Sequence, residues 1–359
     1  MQKTAIVCVT NDLSTDQRVH KTCVTLQKCN YWVIEYGRLL PDSLPLERSY
    51  FTLRKKLWFR NGPLFYAEYN IRLFLYLINK NPDLIFSNDL DTLPAAYLAS
   101  RLRNKKLIFD AHELFPEVPE LANRPLIKAI WEKIEQLILP NITHSLTVCK
   151  SISNYYKQKY NIQMAVVRNV PIYKVIPKNP NHSTSKTIIY QGALNKGRGL
   201  EMVLDAMPFV KNTTLLIVGD GDIRSLLEKK VKLLKIEDRV QFLGKISGEK
   251  LSELTITADI GLCLLENIGL NYYYSLPNRI FDYLHAGVPV LATNFPEIAS
   301  IVETYKTGIL IDHYEPAYLA GVINNMLEKP LETSHFDAIS KELCWEKEEK
   351  CLISVINKQ

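Results

Sequence analysis

The stretch Tyr274-Ser-Leu-Pro-Asn-Arg-Ile-Phe-Asp-Tyr-Leu-His-Ala-Gly-Val-Pro-Val290 reads as a loop, then a helix, then a buried strand. Pro277 suits a first helical turn, where its missing N–H has no partner to lose. Backbone N–H groups around Leu276, Pro277, Asn278 and Arg279, with the Arg279 cation, make an anion site at the helix start. Asp282 stands four residues after Asn278 and shares its face. A carboxylate there suits the hydroxyls of a ribose whose diphosphate lies on the helix start. Gly287 and Pro289 stop the helix, and Val288–Ala292 is expected as a strand. The pattern outlines a nucleotide-diphosphate site; the alternative is a capped surface helix.

The chain has 359 residues, and 47% are hydrophobic, enough to fill two α/β cores. No apolar run has the length of a membrane span, and the N-terminus runs into a strand without a leader pattern. The seven cysteines form no CxxC pair. Together these point to reduced thiols in a cytosolic protein. Net charge is +6, and residues 1–170 carry 23 Lys+Arg against 15 Asp+Glu. A basic first half implies an anionic partner. No zinc finger, RNA-recognition motif or basic zipper is present, so nucleic acid is not expected. The run Leu53-Arg-Lys-Lys-Leu-Trp-Phe-Arg60 interleaves cations with aromatics, as suits a membrane surface or a lipid-phosphate acceptor. The alternative is a solvated loop.

Short β-rich runs alternate with helical spacing on both sides of a polar stretch, Pro177–Lys186, which reads as a linker. The expected fold is therefore α/β, with two doubly wound parallel sheets and ligand edges at the carboxyl ends of their strands. The expected domains are residues 1–170 and 171–339, with one helix over Ser340–Asn357 crossing back onto the first and docking Trp345 there. In the second half, Gly192 follows a strand in Tyr190-Gln-Gly-Ala-Leu194, ahead of the cations Lys196 and Arg198. Gly219 opens a second turn in Val218-Gly-Asp-Gly-Asp222. Glycine lets backbone approach a phosphate closely. In the first half, His112 follows a strand and either faces a cleft or is structural, Asn88 and Asp89 occupy the equivalent turn one strand earlier, and Arg18 is placed for a phosphate or acid, with helix capping by Asp16 alone as the alternative.

These motifs, in this order, resemble a family 4 glycosyltransferase of the two-domain GT-B fold. Asp12…Asp16-x-Arg18, Asp110-Ala-His-Glu113, Asn169-Val-Pro171, Arg198-Gly-Leu-Glu201 and Leu276-Pro-Asn-Arg-Ile-Phe-Asp-Tyr-Leu284 carry the likeness, with Gly287-Val-Pro289 and the closing Trp345 helix. The resemblance implies Rossmann-like domains and transfer of a sugar from a UDP-, GDP- or dTDP-sugar to a glycan or lipid-linked acceptor. It also implies retention at the anomeric carbon, no required metal or other cofactor, and a peripheral place on the inner face of a membrane. By position, Arg198 matches the basic residue on the donor diphosphate and Asp282 the second acid of the E-x7-E pattern, which holds the ribose. His112 matches the catalytic cleft histidine, with Arg18, Asn88 and Asp89 beside it toward the acceptor. Backbone at Ser275, Leu276, Pro277 and Asn278 matches contacts to sugar and phosphate.

Two positions depart from the family pattern. Tyr274 replaces the first acid of E-x7-E, and Ala193 replaces an arginine after the opening glycine. Arg279 is a candidate for that missing charge, and Glu266 for a carboxylate on the transferred sugar. The rival readings are an epimerase or phosphorylase of the same architecture, or an inactive sugar-nucleotide-binding subunit.

Overall fold

The structure, a computed structural model, describes residues 2–14, 16–41, 43–176 and 186–358. Most of the expected linker lies outside the described residues; only Lys186 of it opens a strand. Close contacts divide the chain into two compact units, Met1–Asn169 with Glu348–Gln359, and Val170–Lys347.

The first unit is built on β1 (Lys3–Asp12), β2 (Tyr31–Arg38), β3 (Phe51–Lys55), β4 (Leu84–Asn88), β5 (Lys106–Ala111), β6 (His144–Thr147) and β7 (Ala165–Val166). They form one parallel sheet in the order β3-β2-β1-β4-β5-β6-β7. The second unit carries β8 (Lys186–Gln191), β9 (Thr213–Val218), β10 (Val240–Gly244), β11 (Ile260–Cys263), β12 (Val290–Thr293) and β13 (Gly308–Ile311), ordered β10-β9-β8-β11-β12-β13. Strands such as β4, with every residue buried, need helices on both faces, which the intervening segments supply. Each sheet reverses its winding at its first strand, between β1 and β4 and between β8 and β11. A doubly wound sheet opens its ligand crevice at that point.

Local signals explain several boundaries. Asp16 caps the helix Gln17–Lys28 by accepting a hydrogen bond from the Val19 amide at 3.0 Å. The helix Arg279–His285 ends at Ala286, with Gly287 at φ +73° and the Val288 amide returning to the Tyr283 carbonyl at 2.9 Å. This is a left-handed stop that glycine adopts without strain.

Three expectations need correction. The helix after Pro277 begins at Arg279 and is seven residues long, so Pro277 lies just outside it and the helix dipole is small. The basic-aromatic run is not all loop, because its first residues belong to β3, an edge strand paired with β2. The single helix over Ser340–Asn357 is two helices, Phe336–Glu342 and Trp345–Asn357, with Leu343 at φ −96°, ψ 60° leaving helical geometry between them. Trp345 is buried within the second unit, where its amide donates to the Pro171 carbonyl at 2.8 Å. The part of this helix grouped with the first unit is held there by Glu348 on Arg168 and Glu349 on Lys28.

Candidate functional site

The carboxyl edge of the second sheet brings together segments far apart in sequence. The turn after β8 lies against the turn after β9: the Gly192 amide donates to the Val218 carbonyl at 2.9 Å, and the Leu194 amide to Asp220 at 3.0 Å. Gly219 has φ +135°, and a Cβ there would come within 1.9 Å of the Gly192 carbonyl oxygen. Only glycine fits this crossing, and it leaves backbone exposed at Gly192. From the other side of the switch point, the Glu266 amide donates to the Gly197 carbonyl at 3.0 Å, and the Tyr272 hydroxyl to the Lys196 carbonyl at 3.2 Å.

Two arginines occupy this edge, each lying on a tyrosine. The Arg279 guanidinium carbon is 4.5 Å from the centre of the Tyr190 ring, and that of Arg198 is 4.9 Å from Tyr272. Arg279 is buried, and the Gly192 turn runs close to its guanidinium. Arg198 Nε and Arg279 Nη1 are buried N–H groups without a hydrogen-bond partner. Such donors are rare in folded proteins, and each calls for a partner such as a water or a bound ion. Neither arginine is paired with a carboxylate by an ion pair among the described residues. An anion with several acceptor oxygens satisfies this arrangement.

The other expected donor residues are nearby in the chain but differ in availability. Asp282 is half-buried and accepts from Gln191 Nε2 at 2.9 Å. Ser275 turns its hydroxyl back onto the Tyr272 carbonyl at 2.8 Å. Leu276 and Pro277 are half-buried, and Asn278 is exposed. Glu266 is half-buried at the end of the segment after β11, where burial and then the nearby Glu201 push its carboxyl above the usual range, against Lys196. Glu201 Oε2 is itself buried without a partner. Tyr190, Gln191 and Glu201 stand in the quoted motifs without a role of their own, and for Tyr272 the hint in the sequence is the Asn271-Tyr-Tyr-Tyr274 run.

In the first unit, most of the expected acceptor residues make bonds within the protein. Arg18 is buried and spent inside the protein: its Nε and Nη2 form a fork onto Asp110 at 3.0 and 2.8 Å, and Nη1 donates to the Val167 carbonyl at 2.7 Å. Asn88 is fully buried, with Nδ2 on the Cys8 carbonyl at 2.9 Å and Oδ1 without a hydrogen-bond partner. Asp89 is committed to His112, accepting from its amide at 2.8 Å and lying 3.2 Å from its Nδ1.

His112 Nε2 lies 3.2 Å from Asp110, so both ring nitrogens face carboxylates. Burial opposes charging His112, but Asp89 and then Asp110 hold its pKa well above the ordinary value. A histidine between two carboxylates is favoured in its charged form. Burial would likewise raise Asp110, yet Arg18 and His112 hold it well below the carboxylate range. Asp91, buried beside this network and bonded by Thr10, is pushed up to about 8, first by burial and then by Asp89.

Two parallel-sheet units, the second with an edge of crossing glycine turns and unmet arginine donors, define the GT-B class. Residues 173–342 match the model for glycosyl transferases group 1, and residues 21–171 the model for glycosyltransferase family 4. The chain belongs to the GT-B glycosyltransferases of family 4. Chitobiosyldiphosphodolichol beta-mannosyltransferase of Kluyveromyces lactis is 24% identical over 284 residues, covering 67% of this chain and 61% of that protein. An uncharacterized glycosyltransferase of Methanocaldococcus jannaschii is 26% identical over 176 residues, 44% of this chain and 43% of the relative. The chain thus spans about half the length of the first curated relatives it matches. Among solved structures, sucrose-phosphate synthase of Thermosynechococcus elongatus superposes with a TM-score of 0.82 at 17% identity, over 99% of this chain and 98% of that one. Anabaena HepE in complex with UDP and glucose gives 0.77 at 15% identity over 99% of each. These likenesses concern the fold. Among the described residues, no helix is long and apolar enough to cross a membrane.

Proposed function

We propose that this chain is a retaining glycosyltransferase that moves a sugar from a nucleoside diphosphate donor to a glycan or lipid-linked acceptor. One observation carries it: Arg198 and Arg279, fixed on tyrosine faces beside the Gly192–Gly219 crossing, keep buried N–H donors with no partner. Leaving-group departure from a sugar diphosphate puts negative charge on that diphosphate, and preorganised cations stabilise it. Arg279 takes the charge missing at Ala193, so a divalent metal is not required. Asp282, held by Gln191, is the ribose carboxylate; Glu266, with its raised pKa, serves the transferred sugar. His112 acts as a cation in the first unit. The acceptor proton passes to the leaving phosphate, which accounts for a mechanism without a dedicated base.

The test is a turnover assay in EDTA with UDP-, GDP- and dTDP-sugars and an acceptor panel, reading the product's anomeric proton coupling. Transfer with the donor's configuration is expected. An inverted product removes the retaining mechanism, and donor binding without transfer across the panel favours an inactive binding subunit.

The basic-aromatic run supports a peripheral place on an anionic membrane. Trp58 is 83% exposed and Phe59 42%, and Glu68 fixes the backbone of both by accepting their amides. Each nearby cation contributes about 1 kcal/mol at an anionic surface, screened over about 8 Å at physiological salt. Wild type is expected to float with phosphatidylserine liposomes at low salt and release as salt rises. Replacing Arg54, Lys55, Lys56 and Arg60 with Gln should abolish flotation while sparing nucleotide affinity. Wild type that ignores such liposomes at low salt removes the membrane assignment.

A further inference from the structure

Four aromatic rings cluster at the carboxyl edge of the first sheet, and the donor chemistry uses none of them. Tyr66, on the helix Gly62–Lys80 that follows β3, lies 4.8 Å from Phe65 and 5.1 Å from Trp131 between ring centres. Phe115, in the short turn Phe115–Glu117 that follows β5, stands edge-on to Tyr66 at 6.3 Å and to Trp131 at 4.9 Å. Phe65 and Trp131 are buried, so they support the other two from below; Tyr66 and Phe115 are half-buried and form the outer layer.

The Tyr66 hydroxyl is held in its protonated form. Burial first, then Asp91, push its pKa up to about 12, with Arg38 opposing and Glu113 and Glu120 adding to the rise. The phenol is therefore an O–H donor at neutral pH. Arg38 also covers the Phe65 ring, its guanidinium carbon 4.7 Å from the centre. Half-buried aromatic rings beside a phenol O–H match a sugar ring, which offers C–H groups on its faces and hydroxyls at its rim.

We propose that Tyr66 and Phe115 form a saccharide subsite that seats the sugar ring of the acceptor. Its role as an acceptor seat rests on the glycosyltransferase reading; its affinity for a saccharide does not. The probes are methyl α-glucoside, methyl α-mannoside, methyl α-galactoside and methyl β-N-acetylglucosaminide, measured by saturation-transfer NMR, with UDP, GDP and dTDP titrated calorimetrically into the same samples. Wild type should transfer saturation to at least one glycoside. Tyr66→Ala should lose at least fivefold of that signal, and Tyr66→Phe, which keeps the ring, should retain more than half. Nucleotide affinity should be equal in all three proteins. The proposal is overturned if no glycoside responds, if Tyr66→Ala keeps the signal, or if glycoside and nucleotide binding fall together. Glycoside binding through Tyr66 in a protein that binds no nucleotide keeps the subsite and removes the donor reading.

Discussion

Replacing Arg279 with alanine is expected to weaken nucleoside diphosphate binding by roughly 10–150-fold, the equivalent of losing a charged hydrogen bond of about 1.5–3 kcal/mol. The guanidinium is buried on the Tyr190 ring, and among the described residues no carboxylate forms an ion pair with it. Its burial is a standing cost to the empty protein, met in part by stacking on Tyr190 worth about 0.5–2 kcal/mol. Removing it should therefore change folding stability by less than about 1 kcal/mol, the two effects opposing each other. Calorimetric titration paired with a thermal melt separates the outcomes. A large fall in melting temperature with unchanged affinity would make Arg279 a structural residue.

Arg18→Ala should have the opposite signature. It leaves Asp110 buried without its fork, and stripping one partner from a buried pair costs about 3–5 kcal/mol. For a unit of this size that corresponds to a drop in melting temperature of roughly 6–20 °C. Arg18→Leu combined with Asp110→Leu should recover most of the loss, since no buried charge remains unpaired. The pH dependence follows from the same network. Asp110 has a depressed pKa, so its contribution is present above the ordinary carboxylate value and is lost as pH falls. His112 has a raised pKa, so its contribution is full below about 6.5 and is lost as pH rises through its folded-state value. Wild type should lose stability on both flanks, and His112→Gln should flatten the alkaline one. An Arg18→Ala protein as stable as wild type at pH 7 would contradict the buried pair.

The elements that sequence predicted well were those with local signals. The helix Gln17–Lys28 has an Asp cap in front and apolar residues at helical spacing, and the glycine turns after β8 and β9 follow strands of continuous β-rich residues. The edge strand β3 was hidden because Arg54 and Lys55 give it the composition of the charged run that follows. Arg18 was visible as a cation beyond a strand end. Its fate was not, because its partner Asp110 lies 92 residues away and only the fold joins them. The same holds for Arg279: the charge is plain in the chain, whereas the tyrosine beneath it comes from the far side of the switch point. Local chemistry thus gave the candidates, and long-range packing decided which remain available to a ligand.

The most direct measurement compares nucleoside diphosphate with nucleoside monophosphate affinity in EDTA, using UDP and UMP, GDP and GMP, and dTDP and dTMP. If Arg198 and Arg279 hold the second phosphate, wild type binds one diphosphate at least tenfold tighter than its monophosphate without metal. The Arg198→Ala, Arg279→Ala double variant then binds the two alike. A preference that survives in the double variant, or that exists in wild type only when Mg²⁺ is added, would contradict the arginine-held diphosphate.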